Sequence, residues 1–137
     1  MAFIFIWLYE LFIGPNFSDP TYREGIFLFV GLCMFTFPIA LSALYYVVLN
    51  GNSSFAKLRY SKHWFMFMFL SILIVVGATL LISKAQTGSS EITAYMLSLS
   101  VVNIILTALV YTIASVIFKS FSLHAKYVPF DWLLIKR

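Results

Sequence analysis

Ser100, Asn103, Thr107, Tyr111 and Ser115 recur at intervals of three or four along an apolar run that carries no charge. None of them titrates near neutrality, so acid–base work is not their chemistry. They can hydrogen-bond, lie against another helix, or line a path for water. At 100° per residue they gather, with Ala114, within an arc of roughly 120°. Ile104 and Phe118 intrude on that arc, and the rest of the helix is Val, Leu, Ile and Ala. A polar, partly small-residue stripe opposite an apolar face is the pattern of helix–helix contact inside a membrane. Left in lipid, the Asn103 amide would be unsatisfied and costly. The stripe is therefore read as an interface, with the chain's own bundle ahead of another subunit and a water-filled path third.

The titratable residues offer less. Glu10 is the one acid within an apolar segment, and that segment is short. Ion-coupled transport usually needs an ionisable side chain at depth, so Glu10 is expected to turn toward headgroups or toward a partner's basic residue. His63 and His124 flank apolar runs on the same predicted side. Two axial histidines can hold a haem, but only when buried on helices around a cavity, and Lys62 and Trp64 give His63 an interfacial setting. Cys33 is the single cysteine, which excludes an intramolecular disulfide and leaves a small apolar residue as its expected role. No nucleophile elbow, zinc-protease, phosphate-loop or paired-carboxylate pattern is present. The expectation is no enzymatic activity, no cofactor and no metal.

The elements that must position these residues follow from hydropathy. Three runs, 25–49, 64–83 and 92–118, contain no Asp, Glu, Lys, Arg or His. Each meets the length of about 20 apolar residues that crosses a hydrocarbon core of about 30 Å. Lipid offers the backbone no partners, so these runs must be helical. Phe3–Ile13 is too short to cross and ends at Gly14-Pro15. It is expected to lie in the interface or dip in as a half-helix. Met1 leads into it without a basic region or a small-residue cleavage site, so it is read as part of the mature protein. Pro38 should kink the first span. Gly31, Pro38 and Ser42 mark one side of that span for close contact, and Ser71, Gly77 and Ala78 do so more weakly on the second. Asn50-Gly51 should stop the first span, and Ser90 should cap the third.

The fold class expected is an all-α integral membrane protein in one domain. It comprises an N-terminal segment 1–24 with an interfacial or re-entrant helix, three transmembrane helices, and an amphipathic juxtamembrane tail 119–137. Composition agrees: the 137 residues are 62% hydrophobic and 10% charged, against about 25% charged in soluble domains. The net charge of +4 is explained by basic residues at the ends of spans rather than by nucleic acid. Lys57, Arg59 and Lys62 of the first loop and Lys119, Lys126, Lys136 and Arg137 of the tail fall on one side, with Arg23 and Lys84 on the other. The positive-inside rule then places the N-terminus outside and the C-terminus in the cytoplasm. A bacterial inner membrane is the expected location.

In the tail, Phe130, Trp132 and Leu133 stand among basic residues as rings and apolar groups that want a cover, either headgroups or a docked partner. The expected partners are the bilayer and other membrane subunits, a hetero-complex ahead of a homo-oligomer. The function expected is a non-enzymatic integral membrane subunit that anchors or scaffolds a larger complex. In architecture alone the chain resembles the phage holins, which are small and carry three spans with a basic inner tail. That resemblance implies a membrane-permeabilising alternative, beside a small oligomeric transporter or channel.

Overall fold

The computed structural model describes residues 2–49 and 61–122. The tail residues Phe130, Trp132 and Leu133, His124, and the Asn50-Gly51 stop lie outside the described residues. Among the described residues four helices are present: α1 (Ala2–Ile13), α2 (Tyr22–Leu49), α3 (Ser61–Thr87) and α4 (Ala94–Phe118, extended by a 3-10 turn Lys119–Phe121). The last three are long and apolar enough to cross a membrane.

Local chemistry sets the ends. Gly14 closes α1 at φ +86°, a conformation that costs glycine little, and its N–H donates to the Glu10 carbonyl at 2.9 Å. In the following loop the Asp19 carboxylate accepts from the Thr21 N–H at 3.0 Å, an Asx turn that starts α2. Helical structure continues through Pro38, with π-helical stretches at Tyr22–Ile26 and Leu44–Leu49. α3 begins three residues before the expected span and ends four after it, because Gly88, at φ +65°, supplies the terminator. The cap of α4 is Thr93, not Ser90. Thr93 has extended backbone and its hydroxyl accepts from the Met96 N–H at 3.3 Å. The loop before it folds on itself, with the Ser89 hydroxyl donating to the Glu91 carbonyl at 2.9 Å, and this delays the helix by a few residues.

α2, α3 and α4 pack on one another. Gly25 lies against Gln86, Asn103 against Thr79, and Trp64 and Ser42 against Ser115. These pairs make α3 antiparallel to the other two. One end of the bundle therefore carries residues 14–21 and 88–93, and the other carries the end of α2, the start of α3 and the end of α4. Aromatic clusters mark both ends. Tyr22 meets Tyr95 edge-on at 4.7 Å at the first. At the second, Tyr45 meets Tyr46 at 4.9 Å and Trp64 meets Tyr111 at 5.4 Å.

α1 runs lengthwise in the groove between α2 and α4. It points from mid-bundle toward the first end and covers about half the height of its neighbours. Tyr9 stacks on Phe27 at 5.2 Å, and Phe5 tilts against Phe35 at 5.9 Å. The Tyr95 hydroxyl donates to the Gly14 carbonyl at 2.9 Å and holds the foot of α1. Gly31 makes the close approach possible, since a Cβ there would sit 2.3 Å from the Phe5 ring. Gly77, by contrast, has open space around it and is no contact point.

Gly31→Val should therefore push α1 out of its groove, at a cost of about 1–3 kcal/mol. Hydrogen exchange across residues 3–13 should rise while α3 and α4 stay protected. Unchanged protection of α1 would show that its seat does not depend on this contact.

Candidate functional site

Each α-helix buries its own backbone polarity, so side-chain polarity is what remains to be matched inside the bundle. All five stripe residues of α4, Ser100, Asn103, Thr107, Tyr111 and Ser115, are buried against the chain's own helices. They face further buried hydroxyls: Ser42 on α2, and Ser71, Thr79 and Ser83 on α3. The result is a polar seam along the bundle axis, walled by apolar side chains.

Two nodes organise the seam. In the first, the Tyr9 hydroxyl donates to Asn103 Oδ1 at 2.7 Å, and Asn103 Nδ2 donates to Thr79 Oγ1 at 3.0 Å. The Thr79 hydroxyl in turn donates a hydrogen bond to the Val75 carbonyl at 2.7 Å. One amide thus ties α1, α4 and α3 together with both of its functional groups engaged. In the second node, Trp64 Nε1 donates to Ser115 Oγ at 2.9 Å, and Ser42 and Ser115 share a hydrogen bond at 3.3 Å. Tyr46 completes this group by interacting with Ser115 and Trp64. It ties the far ends of α2, α3 and α4.

The other stripe members are served differently. Ser100 Oγ donates to the Met96 carbonyl at 2.9 Å, the local back-bond open to helical hydroxyls. The hydroxyls of Thr107 and Tyr111, with those of Ser71 and Ser83, are buried without a hydrogen-bond partner among the described residues. Thr107 and Tyr111 lie on α4 between the two nodes, so the middle of the seam is polar but unclosed.

A second polar feature sits at the foot of α1. Arg23 Nε donates to Glu10 Oε1, and Nη2 donates to Oε2 at 2.7 Å, a two-pronged ion pair. Glu10 thus turns to a basic residue of its own chain rather than to headgroups alone or a partner. The Arg23 hydrogen bonds hold the Glu10 carboxyl below its ordinary range. Sequence reasoning missed Arg23, Tyr9, Thr79 and Trp64 as partners. Tyr9, a hydroxyl within an apolar run, and Glu10, an acid beside it, were the available signals.

Among the described residues no group of three or more His, Cys, Asp or Glu is placed to hold a metal. His63 sits half-buried in the first turn of α3. Cys33 lines an outward-facing apolar groove of about 450 Å³ with Phe29, Leu32, Thr36 and Phe37 of α2 and Ile82, Ala85 and Gln86 of α3. Compared with protein-family models, with curated proteins and with solved structures, the chain matches none.

Replacing Asn103 by Leu leaves the Tyr9 hydroxyl without its acceptor and Thr79 without its donor. Stability in detergent should fall by about 1–2 kcal/mol, and a Tyr9→Phe/Asn103→Leu cycle should show coupling. Unfolding equal to wild type would mean the node contributes nothing.

Acid should loosen α1. A carboxyl with a lowered folded pKa contributes stability that is whole above its unfolded value and lost as pH falls through the folded one. Protection of residues 3–13, taken relative to the intrinsic exchange rate at each pH, should therefore fall as pH drops through and below the ordinary glutamate range. Glu10→Gln should show the fast exchange already at neutral pH. A pH-independent pattern in the wild-type chain would show that the ion pair does not hold the helix.

Proposed function

We propose that this chain is a non-enzymatic integral membrane subunit that anchors or scaffolds a larger membrane assembly. The bundle turns its polar seam inward and its apolar side chains outward. Phe69 and Leu73 of α3 and Val101, Ile105 and Leu109 of α4 are all exposed. Water would penalise such a surface, whereas lipid accepts it. In this reading α2, α3 and α4 cross the bilayer and α1 is a re-entrant half-helix rather than one lying flat in the interface. In the sequence, seven of the nine basic residues belong to the segments that join α2 to α3 or follow α4, counting Lys62 at the start of α3 and Lys119 after α4. That distribution supports a cytoplasmic C-terminus and an outside loop 14–21, in the inner membrane of a bacterium.

The observation that carries the subunit role is the unfilled half of the α2/α4 groove. α1 occupies the groove from Gly14 to the level of Phe35. Beyond Phe35 the groove continues as an apolar cleft of about 210 Å³ lined by Ile39, Val110, Ile113, Ala114, Ile117 and Phe118. Its shape suits another apolar helix, with Ala114 as the small residue that permits close approach.

The unclosed hydroxyls of Thr107, Tyr111 and Ser71 favour a second reading, a small oligomeric channel or transporter in which the seam opens to water. Purification in mild detergent, sizing and mass spectrometry separate the two. The subunit role predicts stoichiometric membrane partners, lost or weakened in an Ala114→Phe variant that keeps its fold. A pure homo-oligomer would discard the scaffold reading in favour of the channel.

A further inference from the structure

The outer face of the Glu10–Arg23 pair is unexplained by a scaffolding role. The pair holds α1 with only part of its hydrogen-bonding capacity. A guanidinium has five N–H donors, and Glu10 takes the Nε proton and one Nη2 proton. Each Glu10 oxygen accepts one bond from Arg23 and keeps a further lone-pair direction. The Arg23 side chain is 51% exposed and the Glu10 side chain 18%, so the unused donors and acceptors face outward. Beside them opens a cleft of about 310 Å³ lined by Phe3, Ile6 and Trp7 together with Glu10 and Arg23. One end of this cleft is a fixed pair of opposite charges. The other is a wall of rings, with Phe3 78% and Trp7 60% exposed.

We propose that this cleft binds the headgroup of a zwitterionic aminophospholipid, with the phosphate on Arg23 and the ammonium on Glu10. The proposal rests on the membrane reading above. Charge complementarity selects the occupant. An anionic headgroup without an ammonium group satisfies Arg23 but meets the Glu10 carboxylate. A zwitterion presents one charge to each. A primary ammonium donates hydrogen bonds to a carboxylate, whereas a trimethylated one cannot. Depth agrees: Arg23 is the second residue of α2, beside the Tyr22–Tyr95 ring pair, at the level where aromatic side chains meet headgroups. Phe3 and Trp7 lie further along α1 toward mid-bundle, where the glycerol and first methylenes of such a lipid would run.

Two measurements on the full chain test this. The first is flotation with vesicles followed by an alkaline carbonate wash. The second is native mass spectrometry in mild detergent, titrated with phosphatidylethanolamine, phosphatidylcholine or phosphatidylglycerol of identical acyl chains. The expected result is retention in the washed vesicles. Phosphatidylethanolamine should also bind about tenfold more tightly than phosphatidylcholine, the ratio one charge-assisted hydrogen bond supports. Glu10→Gln should abolish that preference and favour phosphatidylglycerol, since Arg23 is then unneutralised. Trp7→Leu, which keeps the wall apolar, should retain it. Equal binding of the ethanolamine and choline lipids by the wild-type chain overturns the headgroup site whatever the variants do. Release by carbonate overturns the membrane reading and the site with it. Retention without lipid preference overturns the site alone.

Discussion

One carboxamide holds three of the four helices in register. Asn103 accepts from Tyr9 on α1 and donates to Thr79 on α3, while its own backbone belongs to α4. Between helices whose faces are apolar all round, burial alone does little to choose one packing over another. Any rotation of α4 that turns Asn103 out of the bundle leaves Tyr9 and Thr79 unmatched, and any slide of α1 removes the hydroxyl. The amide therefore specifies an arrangement that dispersion between Leu, Ile and Phe would leave nearly degenerate. Ser115 does the same at the opposite end through Trp64 and Ser42.

Between these nodes the helices are pinned at two heights, which frees the intervening positions from holding the fold. That is where the hydroxyls of Thr107 and Tyr111 lie without a hydrogen-bond partner among the described residues. A fully closed polar network rigidifies, and a partly closed one carries a desolvation cost. The bundle tolerates this cost because it is pinned at both nodes and because Tyr111 packs with Trp64 and Phe67 in one ring cluster. On α4 the hydroxyls that tie helices together therefore sit at the two nodes, and those of Thr107 and Tyr111 sit between them.

Much of the architecture was legible in the chain, for a physical reason. A bilayer-length apolar run has only one way to satisfy its backbone, so the number of long helices follows from composition. The stripe on α4 was also legible, because helical period places Ser100, Asn103, Thr107, Tyr111 and Ser115 on one face. What they meet was not. Thr79 and Ser42 sit in runs where a single hydroxyl carries no periodic signal, and Tyr9 lies in a segment whose depth no local rule fixes. The α4 cap was misassigned because Ser89, Ser90 and Thr93 all suit an N-cap. The Ser89–Glu91 turn, a tertiary detail of the loop, decided among them.

The half-length of α1 then orders the rest. A helix of 12 residues rises about 18 Å, and its seat is fixed at both ends. Gly31 admits Phe5 at mid-bundle, and Tyr95 and Arg23 hold the foot. Such a helix divides the α2/α4 groove into a filled half and an open half. It also brings Glu10 beside Arg23 at the level of the Tyr22–Tyr95 pair. A full-length fourth helix would close the groove. A helix lying flat would remove Tyr9 from Asn103 and scatter the charge pair. The surfaces on which a partner helix or a headgroup would act therefore exist because α1 stops where it does.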